Sequence, residues 1–241
     1  MPIAPHSRLG RVSTWLGRLS IIAVLLGPTL AHFEIVRPLA GFALFGLGML
    51  LAVLCLLIGL VALAIGPAGT RAATGGGLLP AVLVFLVVLA ASGARSGVPR
   101  INDITTDTSD PPQFVHAQTL PENAGRDMSY PGESFASQQN AGYGEIEPAR
   151  LALPPQEAFL RVAAAARSMD GWVITREDKE TRALEGYDTS RLFRFKDDFV
   201  IVVRDSNGQS VVQMRSKSRD GQGDVGTNAK RIRAFLARVK E

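Results

Sequence analysis

The chain has 241 residues, 46% of them hydrophobic, and a formal net charge of +4. Residues 1–100 contain seven arginines and one acid, whereas residues 101–241 contain 19 basic and 21 acidic side chains. A nucleic-acid binder needs a basic excess along one face, so we expect no nucleic acid partner. Cys and His are both absent after His116, which argues against thiol, histidine-triad and histidine-ligated zinc chemistry in that part of the chain.

Three apolar segments occupy the first hundred residues. Residues 39–66 run for 28 positions without a charged side chain, which is long enough to cross a bilayer as one helix. Residues 75–94 form a second clear span, between Arg71 and Arg95. Residues 14–33 are interpreted as a short first span or as a signal peptide, and the span is favoured. The sequence therefore predicts a membrane region over residues 1–95, with the lipid bilayer as partner.

Both interpretations of the first segment give the same orientation. Three spans with a cytoplasmic N-terminus, or a cleaved signal followed by two spans, place the C-terminal part on the outer face of the membrane. The positive-inside count supports this by four arginines to three. We therefore expect the C-terminal part to lie in the oxidising compartment.

The remaining chain predicts one soluble domain over residues 101–241. Residues 101–150 are rich in Pro, Gly, Ser, Asn and Gln and predict an extended coil. A helix should begin at Pro154-Pro155 and end at Asp170-Gly171, because apolar residues recur between them at helical spacing. Strands are predicted over residues 172–176, 182–187, 192–196, 199–204 and 210–217. A last helix over residues 225–239 should bury Val225, Ala229, Ile232, Leu236 and Val239.

The dipeptide Asn207-Gly208 lies between two β-branched runs and predicts a two-residue type I′ hairpin. That turn fixes the register, so Val203 should oppose Val212 and Asp198 should oppose Lys217. Alternation then places one apolar face on the core: Phe195, Phe199, Ile201, Val203, Val212 and Met214. The predicted fold class is α+β, with N-terminal transmembrane helices followed by a domain of antiparallel sheet and helices packed on one face.

Guanidinium, hydroxyl and carboxyl groups concentrate around the last strand and last helix. The candidate site residues are Arg215, Ser216, Ser218, Arg219, Asn228, Arg231, Asp197, Asp198 and Asp224. A GxGxxG match at residues 221–226 is rejected as a dinucleotide site, because no second strand follows its helix. The cluster is either a site for an anionic group or partner, or a structural network in which the three aspartates pair with Arg215, Arg219 and Arg231.

Two functions follow from these alternatives. The first is a non-enzymatic accessory or binding domain that recognises an anionic ligand or a membrane protein partner. The second is a hydrolase or transferase that uses Asp197, Asp198 or Asp224 as acid–base or magnesium-binding carboxylates. No cofactor and no resident metal are expected for the first function.

Four separated motifs share one family pattern. They are Ile101-Asn102-Asp103-Ile104-Thr105-Thr106-Asp107 with Pro111-Pro112-Gln113-Phe114, then Tyr130-Pro131-Gly132, then Phe195-Lys196-Asp197-Asp198, and last the Arg, Ser, Gly, Asp and Asn pattern of residues 215–232. In this order they resemble domain-of-unknown-function family 1499, which occurs in bacterial membrane-anchored proteins and in plastids. The resemblance covers residues 101–241. It implies that the coil belongs to the domain and wraps its surface, and it implies no catalytic residue. With the predicted orientation, its bacterial members lead us to expect a bacterial inner membrane with the C-terminal domain on the periplasmic face.

Overall fold

The computed structural model describes residues 8–93 and 98–241, so residues 1–7, Ala94 and Arg95 of the predicted membrane region lie outside the described residues. The chain forms two compact units. The helical unit comprises Met1–Ser96 with Arg191–Arg194, and the sheet unit comprises Gly97–Ser190 with Phe195–Glu241. The predicted α+β class is confirmed, with apolar helices first and an antiparallel sheet after them.

Three helices build the helical unit: α1 (Arg8–His32), α2 (Pro38–Ile65) and α3 (Arg71–Gly93). Pro38 is the first residue of α2, where a backbone N–H would have no acceptor within the helix, so proline loses no hydrogen bond there. By length and composition, α1 and α2 could each cross a membrane, and the described apolar stretch of α3, Thr74–Val87, is shorter. The core helix of a soluble protein or a signal sequence can have the same length and composition. The direction in which the large side chains point is therefore a further criterion.

Small residues face inward in this unit and large ones face outward. The residues that α1 buries are Gly10, Ser13, Gly17, Ser20, Ala23, Gly27 and Ala31. Those that α2 buries are Gly41, Gly48, Ala52, Cys55, Gly59 and Ala62. A Cβ atom added to Gly41 would lie 2.6 Å from the carbonyl oxygen of Gly27, so the two backbones meet there. The exposed positions carry large side chains such as Leu25, Leu50, Leu57 and Leu60.

The sheet unit contains three helices and six strands among its described residues. They are β1 (Asp103–Thr105), α4 (Glu133–Tyr143), β2 (Ala149–Leu151), α5 (Pro155–Ser168), β3 (Trp172–Asp178), β4 (Ala183–Thr189), β5 (Lys196–Ser206), β6 (Gln209–Ser218) and α6 (Thr227–Lys240). The antiparallel order is β1-β6-β5-β4-β3, and β2 also pairs with β6. Because β5 takes one edge of β6, β1 and β2 lie end to end along the other edge.

The predicted hairpin is confirmed in turn and register. Asn207 and Gly208 have φ angles of 56° and 80°, as a type I′ turn requires. Val203 opposes Val212, and Asp198 opposes Lys217. This register sets which side chains of β5 and β6 share a face of the sheet.

Both faces of the sheet are covered. On the helix side, α5 and α6 pack on Phe199, Ile201, Val203, Val212 and Met214. Trp172 closes one end of this core, with its ring centroid 4.1 Å from that of Phe199. On the opposite face, which we call the coil side, residues of the 106–131 segment bury Val200 under Phe114, Ala117 and Met128.

Three predictions about elements are wrong. The strand predicted over residues 192–196 is absent: Ser190 and Phe195 close a loop, in which Arg194 has a φ of 62°, and Lys196 already begins β5. The stretch 101–150 is not all coil, because it holds β1, α4 and β2. The two strands are only three residues long and are defined by pairing with β6 rather than by their own apolar pattern. Val225 is half exposed, since α6 begins only at Thr227.

Candidate functional site

Arg215 is the largest fully buried side chain of the described residues. It points from β6 into the coil side, where its Nε and Nη2 donate to the two carboxylate oxygens of Asp103 at 2.9 and 2.8 Å. Its other bonds go to the carbonyl oxygens of Pro112 and Met128. The guanidinium plane also lies over the ring of Phe114, 4.9 Å from its centroid. An external anion could reach Arg215 only by displacing Asp103.

Lys217 extends this coil-side network. Its Nζ donates to Asp103 at 2.9 Å, so one buried carboxylate receives two cations. Tyr130 lies on the other side of Arg215, and its buried hydroxyl has no hydrogen-bond partner among the described residues. Burial raises the pKa of Tyr130 to about 12, and the nearby charge of Asp103 acts in the same direction.

A second coil-side cluster surrounds Asp198, whose side chain is 1% exposed. Arg219 donates to it through Nη2 at 2.7 Å and through Nε at 3.1 Å. Asn123 and Arg126 donate to its Oδ2 at 3.1 and 3.2 Å. Arg219 also stacks on the ring of Tyr187. Two arginines therefore share one buried carboxylate.

Arg231 forms a third cluster on the helix side. Its Nη2 donates to Asp197 at 2.6 Å and to Asp188 at 2.9 Å. Its Nη1 donates to the Ser216 hydroxyl and to Oδ1 of Asn228 at 3.0 and 2.5 Å. The guanidinium thus ties α6 to β4, β5 and β6, and its side chain is only 4% exposed.

Asn228 completes the helix-side cluster. Its Nδ2 donates to the hydroxyl of Ser218 at 3.0 Å and to the carbonyl oxygen of Asn102 at 3.2 Å. Asp224 caps α6, because its carboxylate accepts the backbone N–H groups of Gly226 and Asn228 at 2.9 and 2.7 Å. Burial raises the pKa of Asp224, while these N–H bonds act against the shift. Asp224 therefore caps a helix and pairs with no arginine among the described residues.

The candidate residues thus fall into separate networks. Asp198 pairs with Arg219 and Asp197 with Arg231, whereas Arg215 pairs with a residue outside the candidate set, Asp103. Each carboxylate is already occupied by guanidinium or backbone donors. Among residues 8–93 and 98–241, no group of three or more His, Cys, Asp or Glu side chains is placed to hold a metal ion.

Several residues of these networks were missed from the sequence. Asp103, Asn123 and Arg126 lie in the predicted coil, and Asp188 lies near the end of β4, so no local spacing connects them to their partners Arg215, Asp198 and Arg231. Glu185 was also missed: its buried carboxylate accepts the N–H groups of three successive residues, 115–117, at 2.8 to 3.1 Å. For Asp103, the only indication in the sequence was its position in the first motif of the family resemblance.

One cleft opens to solvent next to these networks. It has a volume of about 470 Å³, and its walls come from the coil-side segment: Gln113, Phe114, Gln118, Arg126, Asp127, Met128 and Ser129. Arg126 contributes the most accessible guanidinium of the Asp198 cluster, with 20% of its side chain exposed. Hydrogen bonds from Ser129 lower the pKa of Asp127 at the rim, so this carboxylate is ionised at neutral pH.

Comparison with known protein families gives a match over the sheet unit. The sequence pattern of a family described as a protein of unknown function, DUF1499, matches residues 103–239. No curated protein matches the chain. The matched range begins at β1 and ends in α6, so it takes in all three polar clusters.

Proposed function

Because the chain belongs to the DUF1499 family, whose function is unknown, we propose its role from the geometry: a membrane-anchored domain without chemistry of its own that binds an anionic group. Different observations support the membrane anchoring and the anion binding, and a separate experiment tests each of them.

The inverted distribution of side chains in the helical unit carries the proposal of membrane anchoring. A helix in a soluble core buries its large apolar residues, whereas α1 and α2 bury glycine, alanine and serine. Their large side chains point outward, with Leu25 62% exposed and Leu57 58% exposed. Such a surface suits lipid, and small residues at the contact are typical of membrane helix packing.

Fractionation of cells that make the full chain tests the anchoring. We expect the protein to stay in the membrane pellet after alkaline carbonate washing and to be released by detergent. A chain that dissolves on cell breakage without detergent would contradict the proposal. A reporter active only in the oxidising compartment, fused after Glu241, tests the proposed outer-face orientation, for which arginine distribution is the support.

The Arg126 guanidinium at the wall of the coil-side cleft supports the binding of an anion. The cations gathered on the coil side, buried or half-buried, are Arg126, Arg215, Lys217 and Arg219. The buried carboxylates on the same face are those of Asp103, Asp198 and Glu185. With Asp127 at the rim of the cleft the acids equal the four cations, and the cation that lines the cleft is Arg126, with 20% of its side chain exposed. Charges are weakly screened in such a setting, so an anion in the cleft would be attracted.

The chemistry of the cleft fits a carboxylate or phosphate group. Arg126 offers a guanidinium, and Gln113 and Gln118 offer carboxamide groups above an apolar floor of Phe114 and Met128. A guanidinium next to neutral donors is a common arrangement for such anions. The group could be carried by a small molecule or by an acidic side chain of a membrane protein partner.

Titration with inorganic phosphate tests the binding. We expect phosphate to raise the melting temperature of the detergent-solubilised chain, because a ligand that binds only the folded state stabilises it. Arg126→Gln should remove this effect, and Asp127→Asn should strengthen it. The control is Arg204→Gln, which changes an exposed arginine paired with Asp110. Equal stabilisation of all four proteins would show that the cleft is not the site.

The hydrolase or transferase alternative has no observation in its favour, because Asp197, Asp198 and Asp224 already receive internal donors. Magnesium titration distinguishes the two functions. We expect no change of melting temperature with magnesium. Stabilisation that disappears in Asp198→Asn would instead support metal binding by the carboxylates.

A further inference from the structure

The four residues Arg191–Arg194, between β4 and β5, belong to the helical unit. Their sequence is Arg-Leu-Phe-Arg, whereas short loops between strands are usually built from Gly, Pro, Asn, Asp and Ser. Leu192 leaves 57% of its surface exposed. A large apolar side chain at such a position calls for a physical explanation.

Phe193 packs on the first turns of α2. Its ring centroid lies 5.3 Å from that of Phe42 and 5.6 Å from that of Phe45, with both ring pairs edge to face. The carbonyl oxygen of Arg191 lies 3.0 Å from Nδ1 of His32, the last residue of α1. The loop is therefore held at the end of the helical unit where α1 stops and α2 starts.

An ion pair joins the loop to the α1–α2 turn. The guanidinium of Arg194 lies 3.4 Å from the carboxylate of Glu34. Both residues have positive φ angles, 62° and 57°, which are uncommon outside glycine. Two turns with such backbone conformations, joined by their own side chains, indicate that the arrangement is specific.

The surface around this ion pair has the composition of a membrane interface. Phe33 and Ile35 of the α1–α2 turn are 69% and 68% exposed, next to the exposed Arg37. Aromatic rings and arginines are enriched where a bilayer meets water, since each side chain has an apolar body and a polar end. Leu192 is exposed too, and its neighbour Phe193 packs on Phe42 of α2, which is itself 46% exposed.

We propose that the Arg191–Arg194 loop inserts Leu192 into the interfacial layer of a phospholipid bilayer, at the level of the α1–α2 turn. This inference rests on the proposed membrane anchoring and adds a lipid contact made by a loop of the C-terminal sequence. The occupant of this exposed apolar surface is lipid, because the neighbouring Phe193 packs on Phe42, one of the outward-facing large side chains of α2.

Fluorescence quenching in reconstituted vesicles tests the insertion. The only cysteine, the buried Cys55, is changed to alanine, and single cysteines are introduced as Leu192→Cys, Leu57→Cys or Leu160→Cys. Each carries an environment-sensitive fluorophore in the full chain, reconstituted in phosphatidylcholine–phosphatidylglycerol vesicles. Leu57 is an exposed position within α2, and Leu160 is an equally exposed position on α5 of the sheet unit.

Nitroxide-labelled lipids should quench the fluorophore at residue 192 when the nitroxide lies near the headgroup. Lipids with the nitroxide deep in the acyl chains should quench the fluorophore at residue 57. Neither kind of lipid should quench the fluorophore at residue 160. Loss of quenching at residue 192 alone would overturn this inference and leave the anchoring intact. Loss at residue 57 as well would overturn the anchoring. Arg191→Cys, at the adjacent exposed position, repeats the measurement if Leu192→Cys fails to fold.

Discussion

Asp197 and Asp198 are adjacent in sequence, yet their carboxylates lie on opposite faces of the sheet and bind different arginines. Asp197 accepts a bond from Arg231 at 2.6 Å on the helix side, and Asp198 accepts one from Arg219 at 2.7 Å on the coil side. Successive side chains of a strand alternate between faces, so the backbone of β5 separates the two carboxylates. They cannot act as a pair on one substrate.

The networks around Asp197 and Asp198 should contribute independently to the free energy of unfolding. In a double-mutant cycle, Asp198→Asn and Arg219→Gln should couple by about 1–3 kcal/mol, because they remove the same ion pair. Asp197→Asn and Arg219→Gln should add within about 0.5 kcal/mol, because they share no partner. Denaturant unfolding can be followed through Trp172 in a Trp15→Phe background. Strong coupling in the second cycle would show that the faces are linked.

Asp103 should be the most sensitive carboxylate of the coil side. Asp103→Asn leaves Arg215 and Lys217 buried without their counter-charge, which we expect to reduce the free energy of unfolding by about 3–5 kcal/mol. Asp110→Asn is the control, because its pair with Arg204 is exposed and should contribute less than about 1 kcal/mol. Similar unfolding midpoints for the two variants would contradict the assignment.

Tyr130 should make stability depend on pH in the alkaline range. Its pKa is about 12 in the folded protein and 10.0 when unperturbed, so the unfolded chain loses this proton first as the pH rises. The contribution of Tyr130 is therefore fully present below about pH 10 and is lost between pH 10 and 12. Tyr130→Phe should remove this part of the decline. Unfolding midpoints across that range, compared between the two proteins, measure the difference.

Tyr130→Phe has a second expected result at neutral pH. The hydroxyl is buried without a partner among the described residues, so its removal should leave the free energy of unfolding unchanged or raise it by up to about 1 kcal/mol. A clear loss of stability at pH 7 would show that the hydroxyl has a bonding partner after all.

Two glycines of α2 should respond oppositely to alanine. A Cβ atom on Gly48 would lie 2.7 Å from Cγ2 and 2.8 Å from the backbone nitrogen of Val24, so Gly48→Ala should cost about 1–3 kcal/mol. A Cβ atom on Gly46 meets nothing within 4 Å, so Gly46→Ala should be neutral or stabilise by up to about 1 kcal/mol. Thermal unfolding in detergent, reported by Trp15, compares them. An equal response would show that α1 and α2 do not approach at Gly48.

Local signals were enough for much of the sheet. Asn207-Gly208 determined both a turn type and a register, because only a few backbone conformations join two strands through two residues. The same register placed Asp198 opposite Lys217 and separated the apolar face from the charged one. The α5 and α6 helices followed from their apolar spacing, although Val225 shows that a helix start is less certain than a helix.

The polar networks were harder to predict, because their partners are distant in sequence. Arg215 binds Asp103, 112 positions earlier, and the sequence offered nearer aspartates as partners. Nothing in the spacing of residues 101–150 revealed that this segment covers the coil side of the sheet. Only the family resemblance assigned it to the domain.

By itself, the sequence determined the fold class and the hairpin register, because these depend on local conformational preference and apolar period. The tertiary structure alone decided which charge meets which. A buried ion must find an opposite charge wherever the chain brings one, so the pairing depends on packing across the whole domain rather than on spacing. That is why the arginines singled out from the sequence bind internal carboxylates, while the accessible guanidinium is that of Arg126, in the segment predicted to be coil.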